Sequence, residues 1–181
     1  MACVPNGPGD FALTLDELRA VARYAAESAQ EVLAIFQDGD PHDRRPRDAI
    51  AAAWAFAGGA PRTALQRVAS LDAHRAAREA ADEAARHAAR AAGDAASAAY
   101  LHPLAKATQV GHILRAAANA ARAAELRAGD DATVGDAMIE RARARATPVV
   151  IDVLCRYPSA PAGASRTAHL MAALGEALRG E

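Results

Sequence analysis

A chain of 181 residues with 52% apolar content and a net charge of −1 has the size and the apolar supply of one soluble domain. Alanine provides 54 of those residues and aromatics only 4%, so the core must be lined by alanine, and an all-β sandwich or barrel is excluded in favour of helix. The balance of 21 Lys and Arg against 22 Asp and Glu gives no electrostatic case for nucleic acid or an anionic membrane. Every basic residue except Lys106 is arginine, a bias that GC-rich codon usage explains as well as function does. Cys3 and Cys155 are too few and too differently placed for a disulfide framework, which fits a reducing cytoplasm. Residues 1–12, with Pro5, Gly7, Pro8 and Gly9, read as a flexible tail ahead of a single helical domain over 13–181. The tail has no basic and apolar leader pattern, and no window approaches 18 large apolar residues, so neither export nor a membrane span is expected.

In chain order, Thr14-Leu15-Asp16-Glu17 is a capping box that starts a helix. Leu15, Leu18, Ala22, Ala25, Ala29, Val32 and Phe36 keep one apolar face on it, and Asp38-Gly39-Asp40-Pro41 stops it. Arg44-Arg45-Pro46-Arg47 leads into a short helix carrying Ile50, the sole tryptophan Trp54 and Phe56, closed by Gly58-Gly59. Pro61 is predicted to open the next helix, with Leu65, Val68 and Leu71 as its larger core knobs. An unbroken helix from Ala60 to Leu101 would run to about 60 Å at roughly 1.5 Å per residue. A break is therefore placed near Glu79 to Asp82, with Asp82 capping the second piece. That piece, Ala84 to Ala99, offers little larger than alanine beyond a polar stripe, which lets helix backbones approach closely. Pro103 is predicted to open a helix running to Ala128, with Gly111 at a close crossing and Gly129-Asp130-Asp131 as its end. Two shorter helices follow, near Val134 to Ala146 and Pro148 to Arg156, and Ser165 caps a last one ending at Gly180. The expected fold is all-α, a single bundle of about six to eight alanine-rich helices without a sheet.

Catalytic signatures are sparse. The only lysine sits in Leu104-Ala105-Lys106-Ala107, so there is no Walker motif and no ATPase head, and likeness to the coiled coils of exonuclease ATPases is superficial. GxGxxG, GxSxG, HExxH and CxxC do not occur. The Glu-x-x-His pairs of a di-metal bundle are missing too, and no metal or cofactor is expected. Two polar stripes, Glu83-His87-Arg90-Asp94-Ser97 and His112-Arg115-Asn119-Arg122, read first as solvated faces of amphipathic helices and second as ligand sites. His102, Lys106 and Gln109 form a row at a Pro-bounded corner next to Tyr100 that can gather round a partner's group, or can simply build the corner. Arg44, Arg45 and Arg47 are candidate partner-binding residues, with His102 and Lys106. The same arginines can equally pin the loop to Asp40, Asp43 or Asp48. Arg141, Arg143 and Arg145 alternate and so spread round a helix rather than forming one strip.

Arg45-Pro46-Arg47-Asp48-Ala49-Ile50 followed by Trp54 and Gly58, then the run from Ala88 to Ala96, the His102 corner, Ala123-Ala124-Glu125-Leu126 and Arg156-Tyr157-Pro158, together resemble a known family. The chain looks like the putative immunity protein family of bacterial polymorphic toxin systems, in its helical, actinobacterial-type members, over residues 13 to about 158. The resemblance carries no catalytic or binding residues with it. It implies a small intracellular helical protein that neutralises a cognate toxin by binding it, without catalysis. A helical-bundle enzyme or small-ligand or metal module built on His87, Asp94 and His102 stands as the alternative.

Overall fold

The computed structural model describes residues 11–180; Cys3 and most of the predicted tail lie outside them. The described residues form nine α-helices and no strand. They are α1 (Leu15–Gln30), α2 (Leu33–Gly39), α3 (Arg45–Ala57), α4 (Ala64–Glu79), α5 (Glu83–Ser97), α6 (Gly111–Arg127), α7 (Ala132–Arg145), α8 (Pro148–Cys155) and α9 (Arg166–Arg179). Tight 3₁₀ turns at Ala98–Tyr100 and Ala107–Val110 join α5 to α6. None of these helices is long and apolar enough to cross a membrane.

The helix beyond the expected count comes from a break in the first one. Neither Pro nor Gly marks it. At Glu31 and Val32 the hydrogen bonds tighten to three-residue spacing, with the Val32 amide donating to Ala29, and Arg141 and Arg145 of α7 hold Glu31. The Thr14 capping box forms as read. A second box was overlooked: Thr63 caps α4 with Gln66, so that helix starts at Ala64 rather than Pro61. Pro103 likewise opens no helix, since residues 101–106 run as a loop and α6 begins only at Gly111. The break near Asp82 and its cap are present, as is the Ser165 cap.

At the centre lies α5, which packs against α1, α2, α3, α4 and α6 and buries 11 of its 15 residues. Its neighbours can close on it because what they meet is mostly Ala88, Ala89, Ala91, Ala92, Ala95 and Ala96. Larger buried side chains, among them Phe56, Leu101, Ile113, Leu114, Leu154, Tyr157, Leu170 and Leu174, fill the space farther out. Trp54 is only half-buried, with the Arg23 guanidinium 5.5 Å from its ring centroid.

The expectation for α4 is reversed. Leu65, Val68 and Leu71 face outward, more than half exposed, while Gln66, Ala69, Ser70, Ala73, Ala76 and Ala77 face in. Close packing against α5 and α3 admits alanine and excludes leucine, and the buried Gln66 amide donates to the Ala52 carbonyl. Gly111 is not a helix crossing either: it leaves room for the Arg115 guanidinium, one turn on, to fold over it. Cys155 is disulfide-bonded, which corrects the expectation drawn from the cysteine count; cysteine usage therefore lends no support to a reducing compartment.

This inversion has a direct test in denaturant titrations. Leu71→Ser should shift stability by no more than about 0.5 kcal/mol, as at an exposed site. Ala92→Leu, which forces a large side chain between packed backbones, should cost about 1–3 kcal/mol.

Candidate functional site

The two polar stripes read as solvated faces meet each other. Because α5 and α6 pack side by side, His87 and Asp94 of α5 and Asn119 of α6 are all buried at their contact. Asn119 bridges the pair: its Nδ2 donates to Asp94 Oδ2 at 2.8 Å, and its Oδ1 lies 2.8 Å from His87 Nδ1. With that amide orientation, His87 carries its proton on Nδ1 and donates it. The expectation of solvation fails for these three because the two helices pack their stripes against each other, so that what little exposure the groups keep is along the cleft that lies over them.

Above this bridge opens a cleft of about 590 Å³, walled by His74 of α4, His87, Arg90 and Asp94 of α5, Arg115, Asn119 and Arg122 of α6, and the start of α9. His74 reaches the cleft because residue 93 is glycine: a Cβ there would lie 2.8 Å from the imidazole. Asp94 Oδ1 faces His74 Nε2 at 3.6 Å and an Arg115 guanidinium nitrogen at 3.7 Å, both too far for a hydrogen bond. The wall from α9 is held by Glu125, a fully buried carboxylate on α6 that receives Arg122 at 2.8 Å and Arg166 at 2.5 Å. Asp130 and Asp136 share those two arginines at the rim. The i, i+3 spacing of Arg122 and Glu125 is the signal for this pair in the sequence.

Electrostatics follow from burial. Desolvation pushes the Asp94 carboxyl from 3.8 up to about 6, against the opposing pull of Arg115, the Asn119 hydrogen bond and Arg90. Burial also holds His74, His87 and His112 below the ordinary imidazole value, and nearby arginines add to it. Keeping Asp94 ionised at neutral pH therefore costs the fold part of its stability.

The candidate partner-binding residues lie elsewhere. Arg45 is engaged by Asp43 at 2.7 Å and by Glu79, the last residue of α4, at 2.5 Å. Arg44 is exposed and only 3.7 Å from Asp48, and Arg47 is exposed beside Gln37. His102 and Lys106 stand exposed on the loop after α5, whose backbone is fixed by Gln109 Oε1 accepting from the His102 amide and by the Tyr157 hydroxyl donating to the His102 carbonyl. His102 does not join His87 and Asp94 in the cleft. Among the described residues no group of three or more His, Cys, Asp or Glu is placed to hold a metal ion.

A family model described as Imm-5 like putative immunity protein matches residues 12–147. No curated protein and no solved structure matches the chain.

The sign of the Asp94 effect is testable. Its folded-state value lies above the unfolded one, so the neutral form favours folding in full below about pH 4, and that contribution is lost as pH rises to about 6. Asp94→Asn, which keeps an acceptor for Asn119 without the charge, should match the parent at pH 4. Above pH 6 it should be more stable by about 2–3 kcal/mol, roughly two pKa units at 1.36 kcal/mol each, measured by denaturant midpoint.

Proposed function

The chain belongs to the Imm-5 like putative immunity protein family, and on that footing we propose that it is a binding protein that captures and neutralises a cognate toxin. The observation that supports this most is the outward face of α4. Leu65, Val68 and Leu71 lie three residues apart and form an apolar stripe that no other part of the described chain covers. On a helix whose inner face is alanine, outward leucine and valine offer apolar area that a protein partner would bury.

The polar candidates frame this stripe. Arg45, with its neighbours Arg44 and Arg47, is tied to the C-terminal end of α4 through Glu79. His102 and Lys106 follow Tyr100, whose hydroxyl donates to the carbonyl of Thr63, the N-cap of α4, at 2.6 Å. The 16 residues of α4 span about 24 Å. That length suits one side of a standard interface of about 800 Å² per partner, with apolar contacts central and charged ones at the rim. Exposed Arg44, Arg47, His102 and Lys106 are the rim contacts of this reading, and Arg45 positions its loop.

The buried His87–Asn119–Asp94 bridge favours a second reading, a module binding a small ligand in the cleft with no toxin involved. Co-expression separates the two. A toxin encoded beside this chain's gene should be captured in a stable complex and its toxicity suppressed. Leu65→Asp combined with Leu71→Asp should weaken capture at least tenfold while leaving the melting temperature within a few degrees. Undiminished capture by that variant removes the α4 face from the interface, and absence of any capture by the parent protein favours the ligand module.

A further inference from the structure

The cleft between α4, α5, α6 and α9 carries two arginines that its own carboxylates do not hold in a close ion pair. Arg122 and Arg166 are committed to Glu125, Asp130 and Asp136. Arg90 lines the same cleft, is exposed, and makes no ion pair among the described residues. Arg115 is about half exposed; its guanidinium lies over Gly111, and among the described residues its ion pair is with Asp94, at 3.7 Å. Two guanidinium groups, each with several donors left over, therefore face one opening. The first turn of α9 adds to them: Ser165 accepts from the Ala168 amide, and Arg166 and Thr167 follow it at the positive end of the helix. This is the donor set that recognises an oxyanion.

We propose that the cleft is a carboxylate receptor, in which an acidic side chain of the toxin enters between Arg90, Arg115 and the first turn of α9. This rests on the toxin-binding reading and specifies the charge its partner presents. The shape favours a side chain over a free small molecule, because pockets for small ligands bury most of the ligand's surface, whereas here both arginines stand at an open mouth. Position favours it too. His74, one wall of the cleft, is three residues beyond Leu71 on α4, so the apolar stripe runs up to the lip, and one partner surface can cover both. Asp94 beneath Arg115 acts as a positioning residue: it draws the guanidinium over the cleft floor without a hydrogen bond that would saturate it. Fixed by Asn119, that carboxylate stays in place while Arg115 keeps its donors for the incoming group.

The test uses the full chain and the toxin encoded beside its gene. Arg90→Gln and Arg115→Gln should each weaken toxin binding at least tenfold with melting temperatures within a few degrees of the parent. Arg143→Gln, which removes the same charge from an exposed site on α7, should change binding less than twofold. Glutarate, added at constant ionic strength, should compete with the toxin for the parent protein and lose that effect in the two cleft variants. Parent-like binding by both variants overturns the proposal. So does inorganic phosphate binding the protein alone at micromolar concentration while toxin capture ignores both substitutions, which would make the cleft a small-anion site. Failure of the parent to capture the toxin overturns the immunity reading itself. Glutarate titration of the protein alone, followed through the Arg90 and Arg115 side-chain resonances, then decides whether the cleft accepts a carboxylate.

Discussion

Helices that pack at alanine distance leave no volume in which a polar side chain can keep its water, and the architecture follows from that constraint. Around α5 the neighbours come close enough that only methyl groups fit between the backbones. Any polar residue on a covered face must then be satisfied by the protein or pay the full cost of desolvation. His87 and Asp94 satisfy that demand through one amide, since Asn119 offers an acceptor to the first and a donor to the second. Farther along α6, Glu125 meets the same demand with two arginines. His87, Asp94 and Glu125 are thus each held by a specific partner, whereas the buried Tyr24 hydroxyl has none, and the cleft opens where the His87–Asn119–Asp94 bridge reaches the surface.

Local structure was legible in the sequence wherever a cap or breaker encodes it. Thr14 with Glu17, Asp82 and Ser165 start helices by hydrogen bonds between residues at most three positions apart, and those signals are complete in a single stretch of chain. The direction each helix faces was not legible in the same way. For α4 the larger residues were assigned inward because size usually tracks burial, yet Ala69, Ala73 and Ala76 form an equally regular stripe on the other side. Two stripes on one helix are degenerate until its neighbour is known, and here the neighbour is itself alanine. The same degeneracy hid the site. A stripe of His, Arg, Asp and Asn is the ordinary outside of a helix, and nothing within α5 or α6 announces that each would be covered by the other.

The charged side chains show a contrast between committed and available charge. Arg45, Arg145, Arg156 and Arg166 each hold carboxylates of this chain and tie elements distant in sequence, while Arg122 is committed locally to Glu125 and Asp130. Arg44, Arg90 and Arg115 are loosely held or unpaired among the described residues. The arginine-rich composition therefore divides into a set held by the chain's own carboxylates and a smaller set with donors to spare, a division that counting arginines cannot make. In the binding reading proposed above, the apolar stripe of α4 would supply contact area without directional preference and the available arginines would supply direction.

Glu125 also helps to fix where the last helix sits. It grips Arg166 and so docks α9 against α6, completing the cleft with residues 165–168 and 171. The stretch shared with the family ends at residue 147, before that helix begins. One wall of the cleft thus comes from a helix beyond the matched stretch, and that helix does two jobs with two faces. Residues 165–168 and 171 line the cleft, while Leu170, Leu174, Leu178 and Arg179, all buried, anchor the helix in the bundle, so what the cleft admits and what holds its wall in place are written on separate positions of one helix.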